Sequence, residues 1–201
     1  MTIPTKHTPP PGDVIKARVL HDLRTLAPDR HLSHTERLRL AERQAAALRR
    51  MLDVTSDRFP VRCLRHIPRI QVRTVADLPV SGITFWGNHT WKIHIRAAES
   101  LVHRRFTVLH ELKHIIDHPD RGRLYDDRAY IALGERELVA DHFAACALLP
   151  AEKLKAASLS IQDRRELAQN FGVSGRQLAL RMVDLGLTPA TTSNVTERRT
   201  P

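Results

Sequence analysis

Cysteine is nearly absent from this chain of 201 residues: Cys63 and Cys146 are the only two, far apart in sequence. No C-x-x-C occurs, which excludes a cysteine zinc site and a thioredoxin-like redox motif. Cys146 falls in an apolar helical run and reads as a small buried hydrophobe. Aromatic residues are scarce at 4%, so the core must be built from Leu, Ile, Val and Ala. No stretch approaches the roughly 18 consecutive apolar residues that a membrane span needs. The N-terminal MTIPTKHTPPPGD has no apolar core and is not a secretory signal. A cytoplasmic, reduced protein with no membrane partner is therefore expected. Acidic residues are outnumbered, 22 against 32 Lys and Arg, for a formal charge of +10. That balance favours nucleic acid or acidic partners, although Arg-rich composition alone produces the same charge without DNA binding.

One motif stands out. In FTVLHELKHIIDH, His110, Glu111 and His114 spell H-E-x-x-H. On a helix, positions i and i+4 lie about 6 Å apart on one face, so both imidazoles can reach one metal ion. Zinc suits such a pair, and Glu111, about 100° around the helix, is placed to act as general base for a metal-bound water.

A catalytic zinc usually takes a third protein ligand. His118 continues the i, i+4 series but would sit about 12 Å from His110 along a straight helix, too far to share one ion. The better candidate is Glu137 in GERELVADHFAACALLP, with Asp141 one turn on to accept the free N–H of a ligating imidazole. Glu135, nearer the helix start, is the runner-up. Phe143, Ala144, Ala147 and Leu148 would pack this helix against Leu109, Leu112, Ile115 and Ile116 of the motif helix. A closed, purely structural zinc site would need a fourth protein ligand, and no nearby cysteine offers one.

The rest of the chain reads as α+β: a helix, a small antiparallel sheet packed on the motif helix, then a mostly helical C-terminal part. Residues 1–13 read as a disordered arm, 14–68 as an N-terminal helical region, 69–158 as the core, 159–187 as a helix-turn-helix-like segment and 188–201 as a disordered tail. The helix from Ser33 to Leu52 carries an apolar face, with Arg on the other. Strands are expected at Ile70–Val75, Gly82–Trp86 and Trp91–Arg96, the last two joined by the turn Gly87-Asn88-His89. Trp91, Ile93 and Ile95 should face the core, and the strand's polar face suggests an edge able to pair with an extended substrate. Helices follow from Ser100 to Asp117, ended by Pro119, and from Gly134 to Leu149, ended by Pro150.

The two linked motifs resemble those of the ImmA/IrrE family of metallo-endopeptidases. Phe106-Thr107 precede the H-E-x-x-H. Glu137 stands three residues before Ala140-Asp141, followed by Phe143-Ala144-Ala145 and Leu148-Leu149-Pro150. The resemblance covers about residues 80–187. It implies a zincin-like fold and a Zn2+ ion held by His110, His114 and Glu137, with Glu111 as the catalytic glutamate. It also implies a helix-turn-helix repressor as substrate, in phage, mobile-element or stress regulation. Many relatives carry Gly where Lys113 stands; Lys113 is expected to point to solvent. Tyr125, Tyr130 or His103 would be available to stabilise an oxyanion.

A second reading comes from RRELAQNFGVSGRQLALRMVDLGL, which has helix-turn-helix spacing with Ser174 as N-cap. Arg176, Gln177 and Arg181 would then face a major groove, and residues 163–185 would make the protein a DNA-binding regulator with the zinc site as sensor or relic. Alternatively the pair packs on the catalytic part, leaving any DNA binding weak or secondary.

Overall fold

A computed structural model describes residues 11–125 and 129–187. In order, its elements are α1 (Pro11–Arg24), α2 (His34–Met51), a 3-10 turn (Val61–His66), β1 (Ile70–Val75), β2 (Gly82–Gly87), β3 (Thr90–Arg96) and α3 (Leu101–Asp117). There follow α4 (Arg121–Leu124), α5 (Ala129–Leu148), α6 (Ala151–Ser160), α7 (Arg164–Phe171) and α8 (Gly175–Asp184). The class is α+β. The expected tail, 188–201, and residues 1–10 of the expected arm lie outside the described residues. The arm's last positions do not: α1 starts at Pro11, where a helix tolerates proline because a first-turn N–H has no partner to lose.

Ser33 caps α2. Its hydroxyl accepts from the Glu36 amide while the Glu36 carboxylate accepts from the Ser33 amide at 2.9 Å, a reciprocal pair that satisfies two orphan donors. Leu40, Ala41, Ala45 and Leu48 bury the apolar face, and α2 makes its main packing contact with α5. The arginines do not all take the solvent side. Arg37 and Arg49 are buried and direct donors to backbone carbonyls at or beyond helix ends. Arg37 reaches Leu32 and Leu124 at 2.6 and 3.0 Å, and Arg49 reaches Ala147 at 3.0 Å.

The sheet has the order β1-β3-β2 and is mixed, not antiparallel. β2 and β3 form the expected hairpin, with Asn88 and His89 both at positive φ, as a two-residue turn of this hand requires. β1 pairs in parallel with the other side of β3, so that Ile70 lies opposite Trp91 and Val72 opposite Ile93. The alternation in β3 is as read: Trp91, Ile93 and Ile95 are buried and the residues between them are half-buried. The edge assignment is corrected. β3 is bonded on both sides and has no free edge for a substrate; β1 and β2 are the edges.

Ser100 caps α3, accepting from the His103 amide at 3.2 Å. α3 ends at Asp117, and Pro119 sits in a 3-10 turn (His118–Asp120) that leads to α4. α5 begins at Ala129, earlier than the expected Gly134. Leu109, Leu112, Ile115 and Ile116 of α3 are buried along with Phe143, Ala144, Ala147 and Leu148 of α5, in one cluster that also takes in α2, β3, α7 and α8. No described helix is long and apolar enough to cross a membrane.

Lys113 is the largest departure from the sequence reading. Its side chain is 1% exposed, not solvated. Its ammonium donates to Asp117 Oδ1 at 2.6 Å and to Gln44 Oε1 at 2.7 Å, and the other Asp117 oxygen accepts from the Tyr125 hydroxyl. Burial lowers its pKa, and the adjacent Asp117 carboxylate opposes that fall. The network ties the middle of α3 to α2 and to the segment after α4.

Candidate metal centre

α3 and α5 place the chemistry. On α3, His110 and His114 are one turn apart, with Nε2 atoms 3.0 Å from each other. Across the gap, Glu137 of α5 holds Oε2 at 3.1 Å from His110 Nε2 and Oε1 at 3.4 Å from His114 Nε2. Four ligands at 2.0–2.1 Å around a tetrahedral zinc would be separated by about 3.3 Å, so these donors fit one ion. His110, His114 and Glu137 form a group whose ligand atoms all lie within 4.8 Å of one another. Asp141, one turn beyond Glu137, accepts from His110 Nδ1 at 2.8 Å, which leaves Nε2 to face the cluster.

The electrostatics follow from this crowding. Burial disfavours a charged His110, but hydrogen bonds to Asp141 and Glu137 outweigh it together and push its pKa up to about 9. The hydrogen bonds from His110 and His114 hold the Glu137 carboxyl well below the ordinary carboxylate range. Glu111 is buried beside the cluster without joining it, and that burial pushes its pKa up, against the pull of His114 and His110. A carboxylate with a raised pKa is a better proton acceptor at neutral pH.

β2 closes the site from the other side. A Cβ at Gly82 would collide with the Thr107 side chain and come within 3.0 Å of Glu111 Oε1. Only a glycine lets the strand approach so near, and nothing in the sequence marked it out. Gly82→Ala is expected to lower stability by about 1–3 kcal/mol, as overpacking does, measured by urea denaturation. A cleft of about 510 Å³ opens over the cluster, lined by β2, α3 and the start of α5.

Other sequence candidates fall elsewhere. His118 stacks edge-on against Trp91, ring centres 4.8 Å apart, and is not part of the cluster. Glu135 turns away to Arg37, at 2.6 Å. Tyr125 lines the cleft but donates to Asp117. His103 is exposed, 4.0 Å from Glu99, and Tyr130 lies outside the described side chains. Cys146 is buried, its sulfur 3.4 Å from His142 Nε2, and burial lifts its pKa to about 12. In the C-terminal pair, Ser174 does cap α8, but Gln177 is spent completing that cap. Arg181 is 3% exposed, donating to Leu149 O and pairing with Glu42 at 2.8 Å. Of the three expected groove residues only Arg176 is exposed.

The fold and cluster together define a helix-rich α+β protein with a helix-borne candidate metal centre of two histidines and a glutamate. Residues 63–183, more than half of the chain, match the peptidase family described as the IrrE N-terminal-like domain, and the chain belongs to that family. No curated protein matches it. Among solved structures, one titled Mycobacterium tuberculosis transcriptional regulator is similar at a TM-score of 0.48 and 18% sequence identity. The match covers 87% of this chain and 52% of that one, so this chain spans about half the length of that structure.

Proposed function

We propose that the protein is a zinc-dependent endopeptidase of the cytoplasm that cleaves a helix-turn-helix repressor in a phage, mobile-element or stress circuit. The observation that carries this reading is the convergence of His110, His114 and Glu137 with Glu111 buried beside them. His110, His114 and Glu137 would hold the ion, and Asp141 would fix the His110 tautomer. Zinc bound there would polarise the scissile carbonyl and acidify a water molecule. Glu111 takes the proton of the attacking water on a carboxylate oxygen and returns it to the leaving amine. The edge of β2, beside the cleft, offers free backbone groups to an extended substrate. The three-ligand cluster opens on a cleft, as a catalytic zinc site requires and a closed structural site would not.

The domain reading that goes with this keeps 69–158 as the catalytic core and treats 159–187 as a helical pair packed on it. The internal commitments of Gln177 and Arg181 favour packing over groove reading for that pair.

Glu137→Ala is expected to reduce bound zinc at least tenfold in metal analysis after dialysis, the loss typical of removing a ligand or its support. His118→Ala should retain the zinc of the parent. Equal zinc in the Glu137 variant would remove the proposed third ligand.

A further inference from the structure

The cleft has two unlike ends. At one, Gly82 meets Thr107 and Glu111. β2 and α3 run alongside each other from there, so Trp86, four residues on, shares the α3-facing side of the strand with Gly82. Its hairpin partner Trp91 packs against His118 at the end of α3. α5 runs the opposite way, since Asp141 meets His110 while Glu137 spans His110 and His114. One turn further along that stripe is Leu133, which lines the same cleft. Trp86, Trp91, His118 and Leu133 thus gather about one helical turn, roughly 6 Å, beyond His114.

Trp86 is 48% exposed and Leu133 51%, both inside a cleft. Trp86 is nevertheless held: its ring meets Trp91 edge-on at 5.3 Å, and Trp91 meets His118 at 4.8 Å. A rigid apolar surface left open beside a candidate catalytic centre is a recognition surface in search of an apolar group.

We infer that this end of the cleft is a pocket for one bulky apolar side chain of the substrate peptide, an inference that rests on the peptidase reading. An extended chain along β2 advances about 3.3 Å per residue, so a side chain about two residues from the cleaved bond reaches the pocket. The competing occupant is an acidic side chain, because Arg121 and Arg136 also line the cleft. Arg136 is half-buried and already has an interaction of its own within the protein, and an ion pair to a guanidinium as exposed as that of Arg121 is weak, whereas covering Trp86 and Leu133 removes apolar surface from water.

The chain has two tryptophans, Trp86 and Trp91, so its intrinsic fluorescence reports on this pocket. The test titrates full-length, zinc-loaded Glu111→Gln protein with Ser-based nonapeptides carrying one Phe, Leu or Asp at each position in turn. Phe and Leu peptides should bind at least about tenfold tighter than Asp peptides at one position. Trp86→Ala in the same background should abolish the preference, read through Trp91, and Trp86→Phe should keep most of it. Equal or tighter binding of Asp peptides, no binding of any peptide, or a preference that survives Trp86→Ala overturns the pocket. In parallel, wild-type protein is incubated with carboxymethylated casein and the new termini are mapped. Hydrolysis without apolar preference sinks the pocket and spares the peptidase reading; apolar-selective binding without hydrolysis does the reverse.

Discussion

Glu111→Gln should retain the zinc of the parent protein and lose more than about 10²-fold of its cleavage rate, or about 2.7 kcal/mol of barrier lowering. The change is isosteric, and Glu111 is not among the three clustered donors, so the centre should survive it. What is lost is the proton acceptor, because an amide oxygen cannot take and return a proton at neutral pH. The position tolerates little else: β2 passes so near that Gly82 has no room for a Cβ beside the Glu111 carboxyl. The measurement pairs metal analysis with a gel assay of the cleavage of carboxymethylated casein. Full zinc with activity above a tenth of wild type would show that Glu111 is not the base.

The second large effect concerns stability. Asp117→Leu removes the carboxylate that serves both the Lys113 ammonium and the Tyr125 hydroxyl, and leaves Gln44 as the remaining partner of Lys113. Breaking a buried ion pair from one side typically costs about 3–5 kcal/mol. The upper end has a physical ceiling. A stranded lysine can shed its proton, and doing so at pH 7 from an ordinary pKa of about 10.4 costs about 4.6 kcal/mol. For a chain of this size the thermal midpoint should fall on the order of 10 °C. Lys113→Met with Asp117→Leu should recover most of the loss, because replacing both charges by apolar groups leaves none uncompensated. A double variant as unstable as the single one would show that packing, not charge isolation, sets the effect.

The local features of the site were legible from spacing alone. His110 and His114 sit at i and i+4, Glu137 and Asp141 repeat that step on the next helix, and helical geometry turns both into converging faces. The hairpin was legible for the same reason, since its turn chemistry is local. What escaped depends on contacts distant in sequence. Nothing in Ile70–Val75 says that its partner will be β3 in parallel, because that pairing is set by how the chain crosses between them. Lys113 and Arg181 are buried against expectation because the charge of a single residue does not reveal the helix stripe it lies on. A helical wheel carries the missing signal: Lys113 lies between Leu109 and Ile116, and Arg181 between Leu178 and Leu185, each on an apolar stripe. Gly82 had no sequence signature; its reason is a side chain of another element.

The packing of α2 on α5 sets a limit on modularity. The family match begins at residue 63, after α2 has ended, yet α2 buries Leu40, Ala41, Ala45 and Leu48 in the same core as the helix that carries Glu137. Arg24 adds a tie at the other helix, donating to the Ile115 and Ile116 carbonyls at 2.9 and 3.2 Å where α3 runs out of partners. Excised at the family boundary, α5 would present an uncovered apolar face to water, and α3 would lose the cover of α1. The stretch that matches the family is therefore shorter than the stretch that shares this core, and a fusion or transplant of this candidate centre has to carry its N-terminal helices with it.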